Sequence, residues 1–150
     1  MLLQQGAVIV ITMLNGVVVP ILKYTTYNYA QLIGSTETII VADRIPIVPF
    51  QAIGLSVRVH RKSIAAGGSY QFHIYGINPS DEDGADFVTA SLGSITAISG
   101  TGTNALVGLS TSLAPIYHPM IRVGLTIVGT TAAGVHLATF SADLVMRPSS

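Results

Sequence analysis

Apolar residues in this chain recur at every second position. Leu55, Val57 and Val59 alternate with Ser56, Arg58 and His60, and Tyr70, Phe72 and Ile74 alternate with Gln71, His73 and Tyr75. Period two is the signature of a strand with one face in the core and one in water. The Ala65-Ala66-Gly67-Gly68 step between the two runs predicts a β-hairpin whose arms pair antiparallel, followed by an acidic loop that reaches Phe87. Ile121 to Val128 alternates most cleanly, with Ile121, Val123, Leu125 and Ile127 expected inward and Arg122, Gly124, Thr126 and Val128 outward. In Val135 to Arg147 the apolar phase moves near Thr139, from Val135 and Leu137 to Phe140, Ala142, Leu144 and Met146. That shift predicts a β-bulge, or a strand that passes from one sheet to another.

The rest of the chain breaks into similar short pieces. Glu37 to Ala42 reads as a strand, and Asp43-Arg44, Pro46 and Pro49 interrupt it, so Ile45 to Phe50 is expected as an extended edge or crossing segment. Phe87 to Leu92, Ser94 to Ile98 and Ala105 to Thr111 read as strands set off by Gly93 and the Gly100 to Asn104 turn. Asn78 to Asp86 and Leu113 to Pro119 read as loops. Strands spaced about ten residues apart, with glycine turns between them and no helical period, predict an all-β antiparallel sandwich or barrel.

The apolar run from Gly6 to Leu22 is broken by Asn15, Gly16 and Pro20 and falls short of the ~20 residues that span a bilayer. No positive charge precedes it in MLLQQ, as a secretory signal would require. We expect two short strands instead, Ala7 to Leu14 and Val17 to Leu22, joined at Asn15-Gly16, and no membrane partner. Residues 1–36 are then an N-terminal arm and connection, and 37–150 a sandwich domain. Tyr24, Tyr27 and Tyr29 follow the arm, and their spacing suits neither a clean helix nor a clean strand. Such a group can serve an interface or can cover the core; both options stay open at this level.

Composition changes the picture in one respect. Only 9% of the 150 residues are charged and the formal net charge is zero, whereas about 25% is ordinary for a soluble domain. Little charge keeps copies apart, so we expect a homo-oligomer or a larger assembly. The absence of cysteine excludes disulfides, thiolate metal sites and cysteine nucleophiles.

Candidate chemistry is sparse. If the two arms of the hairpin pair, His60 and His73 share its polar face, but no third ligand is at hand and no metal is expected. Asp81, Glu82, Asp83 and Asp86 gather four of the seven acidic residues. The calcium-loop register fails there, because Pro79 falls at the first ligand position and Ala90 at the last. Arg58, His60, Arg61 and Lys62 form a basic strand end, yet a neutral chain without neighbouring stacking aromatics does not suit nucleic acid. The economical expectation is that Arg58, Arg61 and Lys62 meet Asp81, Glu82, Asp83 and Asp86 across subunits and set register. No nucleophile elbow, P-loop or dinucleotide fingerprint occurs, so neither an enzyme nor a cofactor is expected.

Three segments together, SVRVHR at Ser56 to Arg61, NPSDEDGADFV at Asn78 to Val88 and ATFSADLVMRP at Ala138 to Pro148, resemble the β-sandwich decoration or cement proteins of tailed-bacteriophage capsids. The resemblance covers roughly residues 37 to 148, and the N-terminal arm lies outside it. It implies a jelly-roll-like domain, often trimeric, bound to the major capsid protein on the virion surface after synthesis in the host cytoplasm. Other virion positions share these features, whether tail, neck or major shell. A carbohydrate-binding jelly roll is the alternative from another class, and the lack of tryptophan counts against it.

Overall fold

A computed structural model of the chain describes residues 16–29, 35–47, 50, 52–78, 91–112, 118–131, 134 and 136–148, with 103–112 as backbone. Its eight strands are β1 (Val17–Asn28), β2 (Thr36–Pro46), β3 (Ala52–Ile64), β4 (Ser69–Ile77), β5 (Ser91–Ser94), β6 (Thr101–Ser112), β7 (Met120–Val128) and β8 (His136–Arg147). They form two four-stranded antiparallel sheets in the orders β1-β8-β3-β6 and β2-β7-β4-β5. First pairs with last, second with second-last, and so inward to β4 with β5. This is one long antiparallel ribbon rolled until β8 meets β3 and β7 meets β4, the topology of a jelly roll. The all-β sandwich expected from the alternation is thus the fold.

The predicted pairing of the central arms is overturned. β3 lies between β8 and β6 in the first sheet, β4 between β7 and β5 in the second, and the two arms face each other across the core. Two causes act together. The amide of Gly68 closes a turn on the Ala65 carbonyl at 3.0 Å, and of its two central residues only Gly67 takes a positive φ, +86°. That is type II geometry, which splays the flanking strands; a tight hairpin wants a primed turn. The apolar faces of both arms must also be buried, and they bury each other. Gly68 has no room for more, since an added Cβ would lie 2.3 Å from Cε1 of His136.

Several strands run longer than their apolar pattern. β1 continues through Tyr24 and Tyr27 to Asn28, so the first part of the expected connection belongs to an edge strand of the sandwich. The expected 36/37 boundary falls at the start of β2, after its first residue Thr36. β2 carries through Asp43-Arg44 by bulging, with Arg44 at φ +52°, and ends at Pro46. β6 absorbs most of the predicted Gly100 to Asn104 turn. β8 keeps one phase throughout, with His136, Ala138, Phe140, Ala142, Leu144 and Met146 all inward. The extra residues foreseen in β8 lie in its neighbours instead, between Val59 and Arg61 of β3 and at two points in β1. Phe87 to Ala90 of a predicted strand, the first arm strand, and Asp81, Glu82, Asp83 and Asp86 lie outside the described residues.

The core is where the two inner faces interdigitate. Leu55, Val57 and Val59 meet Tyr70, Phe72 and Ile74, while Ile121, Val123, Leu125 and Ile127 are fully buried as expected. Phe140 sits at the centre, with Tyr70 and Phe72 edge-on at 5.5 and 5.3 Å between ring centroids. The hydroxyl of Tyr70 donates across the gap to the His136 carbonyl at 3.1 Å. The His136 ring stacks on Tyr70 at 5.2 Å. Burial holds this imidazole below its usual pKa, opposed in part by the backbone of Val128.

Phe140→Ala should therefore destabilise the chain by about 3–5 kcal/mol, read as a shift of the urea midpoint at unchanged slope. Because folded His136 resists protonation and the unfolded chain does not, unfolding takes up a proton below the ordinary histidine pKa of about 6.5. Stability should fall as pH drops from 7 to 5. His136→Phe, which keeps the ring stack, should reduce that slope in denaturant titrations at the two pH values, leaving the part owed to His73, whose imidazole burial also holds below its usual pKa.

Candidate assembly surface

Strand alternation sends one face of each sheet outward, and on the first sheet three neighbouring strands bring together Tyr24 of β1, Ser141 of β8 and His60 of β3. The backbone amide of Tyr24 donates to Oγ of Ser141 at 3.2 Å, and Nε2 of His60 lies 2.6 Å from the same oxygen. The rings of Tyr24 and His60 are 4.6 Å apart and tilted by 48°. Each comes from an irregularity: β1 shifts register between Leu22 and Thr25, and β3 between Val59 and Arg61. Two bulges thus flank one residue of β8 and aim two rings at it. Tyr24 is held at φ +45°, a left-handed conformation that costs a tyrosine ~1–2 kcal/mol.

The same face carries exposed charge. Arg58 stands opposite Ser141 in the register, and Asp143 is exposed two residues along β8. Apolar exposure gathers here too: Tyr24 is 69% and Val18 60% exposed, both on β1, against 41% for Ile40 on β2. Val18 pairs with Val145, and Val145 also borders a depression of about 260 Å³ lined by Ala52, Ile53, Gly54 and Arg147.

The residues singled out from the sequence separate. Tyr24 is on the open face, whereas Tyr27 and Tyr29 are half-buried against the core, with Tyr27 6.2 Å from Phe140. Burial raises the phenol pKa of both. Arg58 and Arg61 are exposed, but Lys62 reaches to the end of the sandwich and donates from Nζ to the Ser99 carbonyl at 2.6 Å. His60 and His73 are in different sheets and form no cross-strand pair. Among the described residues no three histidine or acidic side chains gather as a metal would need, and no helix is long and apolar enough to cross a membrane.

Two groups escaped the sequence. Ser141 lies at an outward position that the even inward phase of β8 already marked. Arg122 was expected in water but is 1% exposed on the outer face of the second sheet. Its Nε and Nη2 donate to the two carboxylate oxygens of Asp43 at 2.7 and 3.2 Å. This fork joins β7 to the bulge of edge strand β2. Beside it, Tyr75 of β4 packs against Gly124, where an added Cβ would meet Cε2 at 2.8 Å, and Thr38 and Thr126 pair through their hydroxyls at 2.9 Å. The bond from Arg122 holds the Asp43 carboxyl below its ordinary pKa despite partial burial.

No protein-family model and no curated protein matches the chain. Solved structures do resemble it. The structure of infectious bursal disease virus strain Gx matches 87% of this chain and 31% of that one, at TM-score 0.59 and 14% identity. The VP2 subviral particle of the same virus matches 89% and 32%, at TM-score 0.55 and 16% identity. The T13 particle of that virus matches at TM-score 0.51 and 13% identity, over 89% of this chain and 31% of that one. What this chain shares with them is the fold. It spans about a third of the length of each of these chains.

Arg122→Ala should cost about 2 kcal/mol, less than a fully buried pair because Asp43 is partly solvated. Asp43 contributes stability above the unfolded carboxylate pKa and loses it as pH falls through its own lower value. Asp43→Asn should shrink the loss of stability between pH 5 and pH 3, seen in urea midpoints across that range.

Proposed function

We propose that this chain is a structural protein of a virus particle, held in or on the shell by protein–protein contacts. The observation that carries the proposal is the strand order β1-β8-β3-β6 over β2-β7-β4-β5, in a fold shared with solved virus-particle structures. A chain with only 9% charged residues fits a role among close neighbours, where net charge near zero favours association. Structural attachment needs matched surface, on the order of 1,200–2,000 Å² per contact. The open face of the first sheet supplies an exposed aromatic, Tyr24, an exposed aliphatic, Val18, and both signs of charge.

For the finer position we propose decoration: a cement protein, self-associated as a trimer on the capsid surface and seated on the major capsid protein, as the bacteriophage resemblance implies. Tyr24, Arg58 and Arg61 are its contact residues, with Asp81, Glu82, Asp83 and Asp86 as partners for the basic strand end. A place within the shell itself is the second proposal, and the likeness to virus-particle structures favours it. Two outcomes separate them. Purified protein that co-sediments with heads lacking it is a decoration protein; protein that closes into particles with no other component is a shell protein.

The strained Tyr24 makes a sharp test, because a residue kept against its own backbone preference points to use. Tyr24→Gly should leave the unfolding free energy unchanged or raised by up to about 1 kcal/mol, read from the urea midpoint. It should weaken assembly at least ten-fold, as loss of an aromatic anchor does. Assembly at full strength by this variant would remove the face from the contact.

A further inference from the structure

Each sheet ends in two edge strands: β1 and β6 in the first, β2 and β5 in the second. An edge shows a row of N–H and C=O groups that another chain can pair with, and proteins that stay single blunt it with bulges, proline, charge or brevity. Three of the four edges are blunted. β1 contains Pro20 and Lys23, shifts register twice and turns left-handed at Tyr24. β2 ends at Pro46, shifts register twice, and carries Glu37, Asp43 and Arg44. β5 is four residues long and is irregular against β4.

β6 has none of these devices. Its 12 residues, TGTNALVGLSTS, include no proline and no charge. Its register with β3 runs unbroken from Ala52↔Ser112 to Ser63↔Thr101. At ~3.4 Å per residue the open side is about 40 Å long. Among the described residues no strand lies beside it.

We propose that the β6 edge is where a second copy of this chain docks, β6 running antiparallel to its mate about a two-fold axis to make one continuous sheet through both protomers. Such an axis sets like residues near like, so a charged edge would repel its own copy. Of the three long edges only β6 is free of charge. The rest of the molecule offers little opposition, with a formal net charge of zero. This rests on the self-association proposed above and adds to it a two-fold contact, separate from any three-fold grouping.

The chain has no cysteine, so single cysteines can map the contact without background. Residues facing each other in an antiparallel pair have Cα atoms about 4.5–5.5 Å apart, within disulfide reach. A scan from Thr103→Cys to Ser110→Cys under mild oxidation should give covalent dimer with one maximum near Leu106 or Val107 and a fall on either side. Thr26→Cys on β1 should give none. In parallel, the double variant Asn104→Lys, Ser110→Lys should raise the dissociation constant of the dimer at least ten-fold at low salt, by sedimentation, with an unchanged monomer unfolding midpoint. Self-association undiminished in that variant, with no maximum in the cysteine scan, would overturn the β6 contact and leave self-association standing. A wild-type chain that stays single at all concentrations would overturn both.

Discussion

Everything in this fold follows from the need of two half-apolar sheets to cover each other. β3 and β8 on one side, β4 and β7 on the other, carry an apolar residue at nearly every inward position, and neither set has anywhere else to go. Phe140 takes two rings from the opposite sheet edge-on to it. The aromatic cluster also carries the hydrogen bond from Tyr70 to the His136 carbonyl, so the sheets are tied as well as packed. At about 25 cal/mol per Å² of apolar surface removed from water, this shared layer outweighs any single surface contact in the molecule.

The strand pairing is a consequence. Once the chain is rolled so that both faces are covered, the central strands have neighbours on both sides and the outer strands have open edges. Irregularity falls mainly on the edges, with one further register shift in central β3 between Val59 and Arg61. β1 and β2, edges of opposite sheets, each take two register shifts and one left-handed non-glycine residue. Those shifts create both notable surface features: the Tyr24, Ser141 and His60 group, and the fork between Arg122 and Asp43. β6 stays straight and uncharged.

The chain by itself determined the strands and which side of each faces inward. Period two at Leu55 to Val59, Tyr70 to Ile74 and Ile121 to Ile127 is a local property of a pleated backbone, and every apolar position it marks as inward is buried. Low charge and the absence of catalytic motifs were likewise plain from the residues. Partner choice was not legible. An alternating strand states that it has an apolar face without stating which other face will cover it, so Ala65 to Gly68 read as a hairpin when it is a corner between sheets. The one local cue, positive φ at Gly67 alone, belongs to the folded backbone. The candidate site was half visible for the same reason. Tyr24, Arg58 and His60 stood out by type, but that Tyr24 and His60 meet over Ser141, that Tyr27 and Tyr29 turn into the core, and that Arg122 is buried on Asp43 depend on bulges and registers between distant segments. Only the tertiary structure decides those, because a one-residue shift between paired strands changes every neighbour at no cost to the local pattern.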